Sequence, residues 1–427
     1  MGVKRVATAT LFLYRYDLQR MGETNIILVV YRHLERVDRQ LKIGLFTDTY
    51  FPQVSGVATS IKTLREELER RGHQVYIFTT TDPNANEDQE AGIYRFSSIP
   101  FISFTERRIA VRGLFQATQI AKKLGLDLVH TQTEFSMGMI GKFVARNLNL
   151  PCLHTYHTMY EDYLHYVANG RLLKPIHVKE GTLAFCHHLD GIVAPSKRVL
   201  DKLTDYGVKS PIRIIPTGVD LQHYEAATTG DVRAELGLTA DQPVLLSLSR
   251  LAYEKDVDTL IDQMPTILEA VSNAHLVIVG DGPAADDLHA EVARLGLQAH
   301  VTFTGEINNQ NVNAYYKMAD LFVSTSNSES QGLTYIEAMA ADTKVVVASS
   351  PYTDDLINDP SLGKTFTTLS EFSADVIDYL QHPAAFPDKP ELRQQKLHDI
   401  SAAYFVDQVS AFYQDAVSRY VATENKE

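Results

Sequence analysis

The chain has 427 residues, 44% of them hydrophobic and 22% charged, with a formal net charge of −13. That length exceeds what one hydrophobic core usually organises and implies two domains. The acidic excess lies beyond residue 220 while the earlier part is mildly basic, which argues against general nucleic-acid binding and lets the first half rest on an anionic surface.

Residues 1–40 differ from the rest. Arg15, Arg20, Arg32, Arg36 and Arg39 interrupt each apolar stretch, so no signal-peptide core forms, and Val6 breaks the myristoylation pattern. The longest apolar run there, Ile26 to Tyr31, falls far short of the ~20 residues that span a bilayer, so an integral membrane protein is not expected. The segment is read as a poorly packed extension, with initiation expected near Leu41. From residue 41 short apolar strands alternate with helix-length segments. Strands are expected over 43–47, 74–78, 128–130, 152–155, 191–194 and 213–215, with a helix over 60–71. A second set follows over 244–249, 275–279, 301–304, 321–324 and 344–347. This alternation means α/β architecture with parallel sheets. The expectation is two doubly wound, parallel-sheet, Rossmann-like domains facing one cleft, 41–218 and 219–401. A helix over about 402–427, with Phe405, Val409, Phe412 and Val417 at helical spacing, is expected to pack back on the first domain. Ligands in such sheets bind beyond the carboxyl ends of the strands. Cys152 and Cys186, the two cysteines, lack metal-type spacing and fit a reducing cytoplasm.

Several segments at those ends carry chemistry. Gly56, just before a helix, allows close backbone approach suited to a phosphate, although glycine is common in any turn. The stretch from Phe101 to Phe115 sets Phe101, Phe104 and Phe115 among Arg107, Arg108 and Arg112, with Lys122 and Lys123 following. That composition suits a helix or loop on an anionic bilayer; the alternative is a solvated basic helix with one core-facing side. His154, His157 and His165 leave a strand at the cleft, where His157 could meet a sugar hydroxyl and the other two read more simply as structural. Arg250 and Lys255 follow a strand directly. Arg offers a fork to a diphosphate and Lys a mobile point charge, or the two form a solvated pair. The Gly280-Asp281-Gly282 run is most simply a tight turn. Finally Glu329 and Glu337 bracket Gly332 where a strand turns into a helix expected from Thr334. The helix N-terminus favours an anion and a carboxylate can accept two sugar hydroxyls; together these describe a nucleotide sugar. The alternative makes Glu329 a helix cap and Glu337 a surface residue.

Taken in order, Pro52-Gln-Val-Ser-Gly56-Val, Ile215-Pro-Thr-Gly-Val-Asp220, Ser249-Arg250 to Lys255, Val277-Ile-Val-Gly-Asp-Gly-Pro283 and Glu329 to Glu337 resemble the retaining GT-B glycosyltransferases with the paired-glutamate motif, over residues 41 to about 420. The opening from Gly44 to Val57 and the His154-Thr-Tyr-His157 run look most like the bacterial diacylglycerol glucosyltransferases. The resemblance implies that Arg250 and Lys255 hold the donor diphosphate in place of a metal, with no cofactor. It implies that Glu329 binds hydroxyls of the donor sugar and Glu337 those of the ribose. Backbone N–H groups of Gly332, Leu333 and Thr334 would contact sugar or phosphate, and Gly56 the phosphate from the other domain. His157 would lie near sugar and acceptor, and the segment at Gly305 and Glu306 would frame the base. The implied reaction is transfer of glucose from UDP-glucose to the 3-hydroxyl of 1,2-diacylglycerol, by a cytoplasmic enzyme held peripherally on the membrane. Alternatives are a soluble sugar or wall-polymer acceptor, or a sugar-nucleotide-binding protein without turnover.

Overall fold

A computed structural model describes residues 40–53, 55–85, 91–101, 104–161, 174–228, 230–329 and 331–424. All but Gln40 of the expected N-terminal extension lies outside the described residues, as do Val54 and His165, and so do the side chains of Phe101, Phe104 and Arg107.

In the first domain come β1 (Lys42–Phe46), helix α1 (Gly56–Arg70), β2 (Gln74–Thr80) and β3 (Ile93–Phe96). An antiparallel hairpin of β4 (Ser98–Phe101) and β5 (Phe104–Ala110) follows, then α2 (Leu114–Leu124), β6 (Leu128–Thr131) and α3 (Ser136–Leu148). β7 (Cys152–Thr155), α4 (Pro175–Cys186), β8 (Gly191–Ala194), α5 (Lys197–Tyr206) and β9 (Ile212–Ile214) complete the set. The sheet order is β3-β2-β1-β6-β7-β8-β9 and every pairing is parallel. All residues of β6, β7 and β8 are buried, as expected for strands covered by helices on both faces.

The second sheet runs β12-β11-β10-β13-β14-β15. Its strands are β10 (Val244–Leu248), β11 (His275–Val279), β12 (Val301–Phe303), β13 (Leu321–Ser324), β14 (Lys344–Ala348) and β15 (Gly363–Phe366). Among its helices are α6 (Val257–Ala270) after β10, α7 (Val312–Met318) before β13 and α8 (Leu333–Ala340) after it. Both sheets have a switch point where the winding reverses, between β1 and β6 and between β10 and β13, which is where such folds bind ligands.

Three differences from the sequence reading have physical causes. α1 begins at Gly56, because Ser55 Oγ accepts the Ala58 N–H at 3.1 Å and caps the helix a turn early. The Phe101–Phe115 stretch is no single helix or loop but the end of the β4–β5 hairpin and the start of α2; Pro100 and the arginines hide its alternation, and proline is tolerated at such an irregular edge. β3 is only four residues long and is broken by Arg95, and β15 (Gly-Lys-Thr-Phe) carries a single large apolar side chain, so neither stands out.

The chain crosses between domains twice, side by side. Val219 pairs in parallel with Ser401 across this crossing, its N–H donating to Ile400 C=O and its C=O accepting from Ala402 N–H, both at 2.8 Å. After it α9 (Ala402–Glu424) lies along the first domain. Phe412 fills the space beside Gly191, Arg71 pairs with Asp407 at 2.6 Å, and Tyr413 Oη lies 2.7 Å from His130 Nδ1.

Candidate active site

At the switch point of the second sheet, three strand ends are tied together. Gly280 N–H donates to Gly305 C=O and Leu251 N–H to Asp281 C=O, each at 2.9 Å. Only glycine fits at 280, where a Cβ would stand 1.9 Å from Ser249 C=O. This close stacking fixes the segment that bears Arg250, whose side chain is exposed, and leads into a single turn, Tyr253–Lys255. Lys255 Nζ donates to Glu329 Oε1 at 2.5 Å and Ser326 Oγ donates to the same oxygen at 3.1 Å. Two residues 74 positions apart in sequence thus form one charged unit.

Glu329 does not cap the following helix. That place is taken by Gly332 in the left-handed conformation (φ 74°), where a Cβ would strike the buried Tyr335 ring at 2.5 Å. The N–H groups of Leu333 and Thr334, at the start of the first turn, have no acceptor within the helix and make an anion-favouring end; that of Tyr335 donates to Gly332 C=O at 3.0 Å. One turn on, Glu337 is not a surface residue. It is only 8% exposed, and Tyr316 of α7 donates to its Oε2 at 2.8 Å. Burial pushes its carboxyl up to about 7, against bonds from Tyr316 and Tyr224 that pull it down.

In the first domain, His157 follows β7 and its Nε2 lies 2.8 Å from Gln132 Oε1. Burial, reinforced by neighbouring His154, pushes its pKa down to about 3, so the ring is neutral at physiological pH. His154 is wholly buried, bonded to Thr131 on one side and Glu134 on the other. Beneath them His130 spans Tyr413 and Thr155, at 2.7 and 2.8 Å. Asp48, just beyond β1, accepts from Thr133 Oγ1 at 2.6 Å, from Met137 N–H at 3.0 Å and from Ser136 Oγ, joining the loops that follow β1 and β6.

The two sheet ends meet at these loops. A Cβ on Gly56 would lie 3.5 Å from Leu333 Cδ1, so the N-termini of α1 and α8 approach one another. Ser60 of α1 bonds Thr217 at 2.9 Å. The Gln331 side-chain amide makes two hydrogen bonds with the Thr217 backbone, accepting from its N–H at 2.8 Å and donating to its C=O at 2.7 Å. Arg198 of α5 donates to the carbonyls of Glu329 and Asn327, at 2.9 and 3.2 Å. The structure therefore gathers Gly56, Lys255, Glu329, Gly332, Leu333 and Thr334, with Arg250 and Gly305 on the adjoining strand ends. Gln132, Arg198, Tyr316 and Gln331 were not foreseen; Gln132, just beyond β6, and Gln331, beside Glu329, were signalled by position, and Arg198 and Tyr316 were not.

On the first domain's surface Phe115 is 74% exposed and Val111, Phe135 and Met139 are each more than half exposed. Phe135, Met139 and Phe143 follow helical spacing along α3, and Phe115 meets Phe143 edge-on at 6.1 Å. Arg112, just before α2, and Lys122 and Lys123 in its last turn are exposed. Arg108 instead folds back to Ser98, donating to its Oγ and C=O at 2.9 and 2.8 Å. Among the described residues no helix is long and apolar enough to cross a membrane.

Two parallel α/β sheets whose carboxyl ends meet, with a cation and a carboxylate paired beside a helix N-terminus, fit the GT-B class of glycosyltransferases. The family models agree: Glycosyltransferase Family 4 matches residues 54–223 and Glycosyl transferases group 1 matches residues 229–389. The chain belongs to the glycosyltransferase family that includes alpha-monoglucosyldiacylglycerol synthase of Streptococcus pneumoniae, to which it is 44% identical over 88% of this chain and 86% of that protein. The alpha-monoglucosyldiacylglycerol synthase of Acholeplasma laidlawii is 31% identical over 80% of this chain and 89% of its own. Among solved structures, sucrose-phosphate synthase from Thermosynechococcus elongatus shares the fold with a TM-score of 0.71 at 22% identity, over 89% of this chain and 100% of that one. Anabaena HepE, solved with UDP and glucose, gives 0.68 at 18% identity, over 87% and 99%.

Proposed function

We propose that this chain transfers glucose from UDP-glucose to the 3-hydroxyl of 1,2-diacylglycerol, with retention, at the surface of an anionic membrane. The observation that carries the donor half is the Lys255–Glu329 pair set beside the α8 N-terminus and faced by Gly56. Lys255 and Arg250 bind the diphosphate and stabilise the charge that develops on it, a role a metal ion has elsewhere; one such contact is typically worth ~10²–10³ in rate. Glu329 holds hydroxyls of the glucose, Glu337 holds those of the ribose, and the segment at Gly305 frames the base. The Leu333 and Thr334 N–H groups at the start of α8 face the phosphate or sugar. Neutral His157, its ring oriented by Gln132, meets sugar and acceptor from the other domain.

The bond from the anomeric carbon to the phosphate oxygen breaks with its electron pair leaving on UDP. The acceptor oxygen bonds to that carbon on the same face, and its proton passes to the departing phosphate oxygen. Closure of the two domains over the donor excludes water.

For the acceptor half, support comes from the two synthases named above and from the Phe115–Phe135–Met139 stripe. It begins beside Glu134, which pairs with His154, and exposed Arg112, Lys122 and Lys123 stand before and on α2, the helix that carries Phe115, so a lipid hydroxyl could reach the site without leaving the bilayer. The test is incubation of purified protein with UDP-glucose and anionic vesicles containing diacylglycerol. Formation of alpha-glucosyl diacylglycerol with equimolar UDP is expected. UDP release only with a soluble acceptor, or donor binding without turnover, would overturn the reading.

A further inference from the structure

We infer that Arg198 is a positioning residue that makes the placement of Glu329 depend on the approach of the two domains; the inference rests on the donor reading above. Arg198 is the second residue of α5, beyond the carboxyl end of β8 in the first domain. Its guanidinium reaches the second domain and binds the Asn327 and Glu329 carbonyls, one of them belonging to the residue whose carboxylate would hold the sugar. Such charge-assisted bonds are stronger than neutral ones.

The Glu329 loop is thereby held from three directions. On its own domain's side Ser328 Oγ donates to Glu254 C=O at 2.8 Å and Thr325 Oγ1 to Asp256 C=O at 2.6 Å. At its far end Gln331 grips Thr217, in the segment joining the domains. From the opposite domain comes Arg198. Lys255 stands on the turn after β10, where its backbone N–H donates to Ala252 C=O at 2.9 Å. Lys255 and Glu329 are bonded to each other, but the backbone bearing Lys255 is held within the second domain, whereas the loop bearing Glu329 is held across the domains as well, by Arg198. Loss of Arg198 should loosen the sugar end more than the diphosphate end. A displacement of about 1 Å in a positioning group can cost ~10²-fold.

The experiment compares wild type, Arg198→Ala and Arg198→Lys by calorimetry with UDP-glucose and with UDP, by kcat and KM for UDP-glucose, and by amide hydrogen exchange. For Arg198→Ala, UDP affinity should stay within about twofold while UDP-glucose binds ~10-fold more weakly and kcat falls. Exchange should quicken in the Glu329 loop and not in the strands, and Arg198→Lys, which keeps the cation, should recover part of each loss. Equal weakening for UDP and UDP-glucose, or unchanged affinity ratio and loop exchange, would overturn the role. Wild-type protein that binds UDP but gains nothing from the glucose would sink the donor-sugar reading instead. Loop exchange then decides alone: quickened in Arg198→Ala it upholds the positioning role, unchanged it refutes it.

Discussion

Glu337 offers the sharpest test of the donor site, because its environment makes an ordinary carboxylate titrate near neutrality. Burial raises it from 4.5 to about 7, so folding favours the protonated form. The associated stability is present below pH 4.5 and is lost as pH rises through about 7, an amount of about 3 kcal/mol. If ribose hydroxyls donate to the carboxylate, only the ionised form binds well. Ionisation rises from ~10% at pH 6 to ~90% at pH 8 for such a group, so UDP-glucose should bind ~9-fold more tightly at pH 8. UDP-glucose is the right probe because its diphosphate does not titrate in that window. Calorimetry on wild type and Glu337→Gln should show this rise only in wild type. Urea unfolding should show the stability gap moving in favour of Glu337→Gln as pH increases from 4.5 to 8. Tyr316→Phe removes a donor that lowers this pKa, so its binding curve should shift to higher pH. Affinity that is flat between pH 6 and 8, or indistinguishable from that of Glu337→Gln, would refute the reasoning.

Lys255→Met removes the cation bonded to Glu329 and should lower kcat by ~10²–10³ with the fold intact by circular dichroism. Gly332→Ala forces a left-handed backbone and a contact with Tyr335; a loss of about 2 kcal/mol in urea unfolding is expected, with weaker UDP binding. Tyr413→Phe deprives buried His130 of a partner and should cost about 1–3 kcal/mol in the same assay. Phe115→Asp with Phe135→Asp, both at exposed positions, should weaken sedimentation with anionic vesicles while leaving turnover of a short-chain, dispersed diacylglycerol unchanged.

The alternating strands and their order along the chain were legible because fully buried parallel strands are continuous apolar runs. The loops were legible as the places where those runs meet glycine and charge. What sequence could not supply was which loops touch. Lys255 and Glu329 read as separate motifs, and nothing in their spacing joins them until β10 and β13 lie side by side. Arg198 was opaque for the same reason, since its partners are backbone carbonyls, which leave no trace in side-chain pattern. Glu337 was ambiguous because a helix of eight residues, almost all buried, shows no polar face by which to judge exposure. The β4–β5 hairpin misled because its charges sit where an amphipathic helix would also carry them.

The double crossing at Val219 and Ser401 means that the first domain is discontinuous in the chain. Residues 42–218 lack the helix whose Phe412 and Tyr413 close over Gly191 and His130. During synthesis the part that emerges first must wait, with that face bare, until the whole second domain has been made and α9 returns. An excised fragment ending near residue 218 would meet the same difficulty permanently, whereas one carrying α9 on a short linker would not. The domain begun first is the one finished last.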